Sequence, residues 1–281
     1  MRMPYQRAMV GTDVARLRFW SIMKIKVHTQ LDYRFAKPTD ILLQLEAAAT
    51  PDQRLEHAWI DISACDQFAR VAAQDGVGDR LWLRVQERLV IDYRSTVAID
   101  RAPARWASLP QVAMHRLPGH TVQYLMGSRY CPSDQFVKFA EAQFAGLEGG
   151  ALVAAVRDWI ESRFSYVPGS SDANTTAIDS FVRREGVCRD YAHVMIALVR
   201  ASGIPARMAS VYALGVKPQD FHAVADVYLD GAWHLIDPTG MAVDGSMARI
   251  GVGRDAADIA FMTSFGDAMM NRLSVSVEEA S

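Results

Sequence analysis

Gly186-Val187-Cys188-Arg189-Asp190-Tyr191-Ala192-His193 carries a cysteine at the joint where a tight turn enters a long apolar-periodic segment. Beyond it Tyr191, Ala192, Met195, Ile196, Leu198 and Val199 recur at helical spacing, the stripe of a helix with one buried face. Gly203, with Pro205 just after it, marks the helix end. Cys188 therefore stands at a helix N-terminus, among backbone N–H groups without intrahelical partners, where the helix dipole favours negative charge. Both effects favour thiolate over thiol, which makes Cys188 the candidate nucleophile. A lone cysteine is more often a buried structural residue. Arg189 and Asp190 beside this one argue instead for a partly polar, accessible mouth.

A nucleophilic cysteine needs a base. Asp220-Phe221-His222 opens the run 223–229, which reads as a strand. Asp230-Gly231 is a two-residue hairpin signal, and 232–237 returns as the partner strand. If the loop is Asp230-Gly231 alone, Leu229 pairs with Ala232 and Val224 with Asp237. The period of two then puts His222, Val224, Trp233 and Asp237 on one face. His222 and Asp237 become diagonal neighbours roughly 7–8 Å apart between backbones, close enough for their side chains to hydrogen-bond. His234 points to the opposite face, and Asp226 lies too far along the strand from His222. His193, five residues beyond Cys188 on the same helix, points away from the thiol. Asp237-Pro238-Thr239-Gly240 also has the preferences of a type I turn, a role compatible with the first.

These motifs resemble the transglutaminase-like superfamily. The resemblance rests on residues 186–193, on Arg200-Ala201-Ser202-Gly203-Ile204-Pro205-Ala206-Arg207, on Phe221-His222-Ala223, and on Trp233-His234-Leu235-Ile236-Asp237-Pro238-Thr239. It is closest to the bacterial branch described as candidate cysteine proteases. The order of the motifs is specific in combination, with 34 residues from Cys188 to His222 and 15 more to Asp237. The resemblance implies a papain-like core in which Cys188 is the nucleophile, His222 the base and Asp237 the group that orients the imidazole. It also implies a β-rich N-terminal domain, and a Gly-Arg-Asp segment after the catalytic Asp that would set Arg254, Asp255 and Asp258 in one wall of the cleft; a surface ion-pair cluster is the competing role for these three.

Length and composition set the bounds. At 281 residues, two domains are expected. The net charge of −2 and a pI near 6.4 give no reason to expect nucleic acid or an anionic membrane surface as partner. Three widely spaced cysteines, Cys65, Cys131 and Cys188, argue against a disulfide framework or a zinc site and fit a reducing, cytoplasmic setting. There is no membrane-length apolar run, and residues 1–22 lack the apolar centre of a signal peptide. They read as a disordered lead or as the product of an upstream start site, with Met23 a natural beginning.

The fold class expected is α+β. A β-sandwich-like domain over 23–105 is followed by a papain-like, transglutaminase-like core over 106–275, with the nucleophile's helix packed on an antiparallel sheet, and a tail over 276–281. Strict alternation of Ile25, Val27, Thr29, Leu31, Tyr33 and Phe35 with polar residues marks a half-buried strand. Further strands are expected over 41–48, 57–62, 81–85 and 88–99, and helices near 137–144, 151–163 and 177–183. Near the nucleophile, Tyr166 and Asn174 are candidate substrate or oxyanion residues, although packed Tyr and turn-forming Asn are commoner roles. The Cys188 N–H is the stronger oxyanion donor. Phe221 and Trp233 are candidate pocket walls.

The function expected is acyl transfer through a thioester on a peptide or protein amide, with no cofactor or metal. Water as acceptor makes the enzyme a protease or amidase, and branch resemblance favours that outcome. A lysine amine as acceptor makes it a transglutaminase or another acyltransferase with the same triad. A binding protein that keeps the fold without catalysis is the alternative of a different class, against which stands the presence of all three residues. Oligomeric state is not legible.

Overall fold

The computed structural model describes residues 21–101, 105–243 and 245–280. The expected lead, apart from residues 21 and 22, and part of the linker after Asp100 lie outside the described residues. Six strands open the chain: β1 (Met23–Phe35), β2 (Thr39–Leu43), β3 (Gln53–Ile62), β4 (Gln67–Ala72), β5 (Asp79–Val85) and β6 (Arg88–Ile99). The alternation in β1 buries Ile25, Val27, Thr29, Leu31, Tyr33 and Phe35, and β6 does the same with Leu89, Ile91 and Tyr93. Each such large side chain contributes about 1.5–3 kcal/mol on burial. The strand expected over 41–48 stops at Leu43 because the backbone beyond it is satisfied elsewhere. Gln44 N–H goes to Phe261 O, Ala48 N–H to Arg249 O, and Ala47 N–H to the Tyr93 hydroxyl. Strand β4 carries no readable alternation, since it is an edge strand exposed along nearly its whole length.

After α1 (Gly119–Val122), α2 (Val137–Gln143) and α3 (Gly149–Arg163), a two-residue strand β7 (Ser165–Tyr166) pairs in parallel with β8 (Glu185–Gly186) across α4 (Ala177–Arg183). Helix α5 (Cys188–Ala201) follows and is buried almost throughout. It ends as the sequence predicts, with Gly203 left-handed at φ 76° and the Ile204 N–H returned to Val199 O. Strands β9 (Ala206–Ala213), β10 (His222–Leu229), β11 (Ala232–Ile236) and β12 (Met247–Gly253) form an antiparallel sheet in the order β11-β10-β9-β12. Ala206, Met208, Ala225, Val227 and Leu229 pack it on α5. Among the described residues no helix is long and apolar enough to cross a membrane.

The chain then returns to where it began. Beyond α6 (Ala256–Ile259), β13 (Met262–Ser264) pairs with β2, and β14 (Ala268–Glu279) runs antiparallel along β1. The first sandwich is therefore two four-stranded sheets, β14-β1-β6-β3 and β13-β2-β5-β4, each completed from the C-terminal end. Residues 276–279, expected as a tail, are strand, and the expected core end at 275 falls inside β14. The first five residues of β14 are exposed, so only Leu273, Val275 and Val277 carry its pattern.

Sandwich and core share one hydrophobic cluster through Tyr212, Phe221, Ala248 and Ile250. Tyr212 donates its hydroxyl hydrogen to Leu45 O at 2.7 Å and accepts from Thr29 Oγ1 at 3.1 Å. A chain of ion pairs seals the same seam. Arg101 and Arg249 share Asp52, Arg249 and Arg207 share the fully buried Asp226, and Arg207 and the Tyr124 hydroxyl share Asp75.

Candidate active site

Val187 is the N-cap of α5 and Cys188 its first residue, half-buried at the helix end. Gly186 is required by close approach: a Cβ there would lie 2.5 Å from the Asp190 Cβ. The fully buried Asp190 carboxylate accepts the Val187 N–H at 2.8 Å, closing the helix entrance. Arg189 is held by Asp190 Oδ1 at 3.2 Å and by the Asp172 carbonyl at 2.7 Å. The β7–β8 ribbon sets Tyr166 opposite Gly186, with its hydroxyl beside Cys188. Burial pushes the Tyr166 phenol up to about 12, with Cys188 adding to the rise.

His222 begins β10, and Asp237 directly follows β11. Leu229 pairs with Ala232 and Ala225 with Ile236, the register expected from a two-residue loop. His222 Nε2 and Asp237 Oδ2 are 3.0 Å apart, with both side chains buried. Asp237 is fixed further by the Thr239 N–H and hydroxyl at 2.9 and 2.8 Å and by the Ala242 N–H at 2.8 Å. The Gly240 N–H also returns to Asp237 O, so the turn and the imidazole contact coexist. The His222 Nδ1 has no other bonded partner and is left for Cys188. Burial disfavours the charged ring, but the Asp237 carboxylate and the Cys188 sulfur outweigh it and raise His222 to about 10. Burial pushes Asp237 up, yet His222 and the Ala242 and Thr239 N–H groups hold it below the usual carboxylate range. The loop before His222 is pinned to the sandwich. The Gln219 amide donates to Val277 O at 2.9 Å and accepts the Val277 N–H at 3.4 Å. The Phe221 ring stacks on Phe261, 4.8 Å between centres, and tilts against Tyr212.

Cys188, His222, Asp237 and Tyr166 thus converge, and the other candidates stand apart. Phe221 points into the sandwich cluster and neighbours the site only through its backbone. Trp233 pairs with Tyr228, six residues along β10 from His222 and so roughly 20 Å away. Its ring packs on Tyr124 and Tyr228 under Arg207. Sharing a face with His222 did not bring it near, because a face is as long as its strand. Trp233→Ala is expected to lower stability by about 2–3 kcal/mol with kcat/KM unchanged, which a denaturant melt beside an activity assay checks. Asn174 is exposed, and its N–H closes a turn onto Asp172 Oδ1. Arg254 is ion-paired with Asp258 one helical turn on. Asp255 caps α6 and accepts the Tyr130 N–H. None of these three touches the triad residues.

His193 on α5 and Cys131, which packs against that helix, are structural. His193 is fully buried, accepts the Ala256 N–H and stacks on Tyr130; burial drives it down to about 3. Cys131 is buried too, its thiol pushed up to about 12. Among the described residues no three His, Cys, Asp or Glu side chains are grouped to hold a metal ion. The sequence shows Asp190 beside Cys188 and Thr239 in the turn after Asp237, but not that they bond Val187 and Asp237, nor that Gln219 anchors the loop before His222. Only Asp190, three residues after the N-cap, had a readable capping signal.

Comparison with known proteins agrees with this architecture. The model of the transglutaminase-like superfamily matches residues 140–238, from α2 through Asp237. A solved structure from Cytophaga hutchinsonii, titled a "Putative Cysteine Protease", superposes with a TM-score of 0.86 at 31% identity, over 93% of this chain and 92% of that one. A Mycobacterium leprae protein is 33% identical over 119 residues, 39% of this chain and 42% of the relative. A Mycobacterium tuberculosis protein is 33% identical over 126 residues, 38% and 40% of the two. The chain spans less than half the length of these curated relatives. With its core matched by the family model and nearly its whole length matched by the Cytophaga structure, the chain belongs to the transglutaminase-like superfamily.

Proposed function

We propose that the protein is a cysteine-dependent amide hydrolase acting on peptide or protein substrates through Cys188, His222 and Asp237. The observation that carries this reading is the His222–Asp237 bond, which leaves Nδ1 of a raised imidazole for a cysteine at a helix N-terminus. The Cys188 sulfur attacks the amide carbonyl carbon, forming a C–S bond as the carbonyl electrons move to oxygen. The Cys188 N–H is the donor for that oxyanion, with the Tyr166 hydroxyl beside Cys188 as a second. His222 passes its proton to the nitrogen, the C–N bond breaks, and the amine leaves a thioester. Water, deprotonated by His222, then attacks the thioester carbonyl; the C–S bond breaks and the acid is released. Hydrolysis is favoured over transfer to an amine by the likeness to the Cytophaga protein.

Iodoacetamide labelling from pH 5 to 9, with each cysteine followed by peptide mass spectrometry, tests the pairing directly. Cys188 is expected to label fast at pH 6 while Cys65 and Cys131 lag, and His222→Ala is expected to remove that advantage. Slow labelling of Cys188 at pH 6, or labelling indifferent to His222→Ala, would falsify the proposed ion pair.

A further inference from the structure

Asp220, two residues before His222, takes no part in the chemistry described above. The direction of its side chain follows from its neighbours. The Phe221 ring is half-buried on the sandwich side between Tyr212 and Phe261, and along extended backbone the flanking residues project the other way. His222 duly points to Asp237 and Cys188, so Asp220 faces the same side. Its charge acts on the Tyr166 phenol and on the His222 ring, which sets it beside two groups of the site, and it reaches Tyr33 in the sandwich as well. The Gln219 amide, bonded both ways to Val277, holds this loop in place.

Asp220 is solvent-exposed, and its one hydrogen bond is from the adjacent Phe221 N–H at 2.7 Å. Among the described residues it has no ion-pair partner. Arg189, the guanidinium next to Cys188, is already taken by Asp190 and the Asp172 carbonyl. With the triad as thiolate, imidazolium and carboxylate, the site carries one net negative charge, and Asp220 adds a second. A cleft with this excess concentrates cations and repels anions.

We propose that Asp220 selects substrates bearing an ammonium or guanidinium side chain beside the amide that Cys188 attacks. This deepens the acyl-transfer reading and rests on it for the word substrate. The potential itself does not depend on that reading.

Two measurements separate the claims. In the first, Cys188 reacts with a trimethylammonium-ethyl or a sulfonato-ethyl methanethiosulfonate, in a Cys65→Ser background. The Cys188 sulfur bonds to the reagent sulfur and methanesulfinate leaves. Each rate is divided by the same reagent's rate with a free thiol in solution. The wild-type ratio is expected to favour the cation, to fall about tenfold in Asp220→Asn at low salt and further in Asp220→Lys, and to shrink as salt rises. A ratio unmoved by Asp220→Asn overturns the proposal.

In the second, peptide pairs carry arginine or its neutral isostere citrulline on the acyl side or on the leaving side of the amide. The wild type is expected to prefer arginine about tenfold in kcat/KM in one arm, which identifies the side. Asp220→Asn is expected to bring that arginine-to-citrulline ratio toward one. A wild-type ratio below about twofold in both arms also overturns it. If no peptide is turned over while the reagent ratio still shifts, the acyl-transfer reading fails and cation selection by Asp220 is supported.

Discussion

Alanine at Cys188 is expected to leave no more than about one part in 10⁴ of amide turnover, with the fold intact because the side chain is small and half-buried. Asp237→Asn tests the orienting group and is expected to lower kcat by roughly 10²–10⁴-fold, with a shift that a structural lesion would not produce. In the wild type, Asp237 and Cys188 raise His222 to about 10 from an ordinary 6.5. Turnover that needs the imidazolium should therefore hold through neutral pH and fall with a midpoint near pH 10. The asparagine variant lacks the carboxylate charge, and its alkaline limb should move toward neutrality. A pH–rate profile on both proteins reads this; an unmoved limb would show that Asp237 does not govern the ring. Linkage gives a second consequence. The contribution of charged His222 to stability is complete below about pH 6.5 and is lost as pH rises through about 10. Asp237 is lowered, so its own contribution is present above its ordinary 3.8 and is lost as pH falls below it.

The largest loss of stability is expected at a residue remote from the triad. Asp226 is fully buried between Arg207 at 3.0 Å and Arg249 at 3.2 Å. Asp226→Ala removes a fully buried carboxylate shared by two guanidiniums, and an uncompensated buried charge costs about 3–5 kcal/mol. Each guanidinium keeps a second carboxylate on the sandwich side, Asp75 for Arg207 and Asp52 for Arg249, so the seam loosens but does not part. For a chain of this size the melting temperature should fall by roughly 10 °C. An exposed pair such as Arg84–Asp40, with both side chains about half accessible, should contribute less than about 1 kcal/mol. Thermal melts of alanine variants at Asp226 and Asp40 give the contrast, and equal shifts would mean that burial is not what makes the Asp226 cluster matter.

Legibility in the sequence followed the range of each signal. Cys188, His222 and Asp237 could be read because local rules fixed each one: a helix stripe after Gly186, and a two-residue hairpin loop that set the β10–β11 register. Tyr166 was readable only as a loop residue near the nucleophile, since the two-residue ribbon that delivers it leaves no pattern. Trp233 was misplaced because alternation reports which face a residue is on and is silent about distance along it. Arg254 and Asp255 had the competing reading of an ion-pair cluster, and Arg254 with Asp258 is such a pair. The return of β13 and β14 to the sandwich was not legible, because strand pairing across more than two hundred residues is written in no local window.

That return has a consequence for how the polypeptide comes into being. Ile25 lies opposite Glu279 in the sheet, and Leu31 opposite Leu273. While the chain is being synthesised, β1 can pair with β6 but one of its edges stays open until β14 has left the ribosome. The core sheet β9–β12 and helix α5 are all available earlier. β1, made before the core sheet, is thus fully paired only after it, and a long open edge of this kind invites pairing with other chains in the interval. Slow closure of this high-separation contact is the step at which chaperone dependence and aggregation during expression should concentrate.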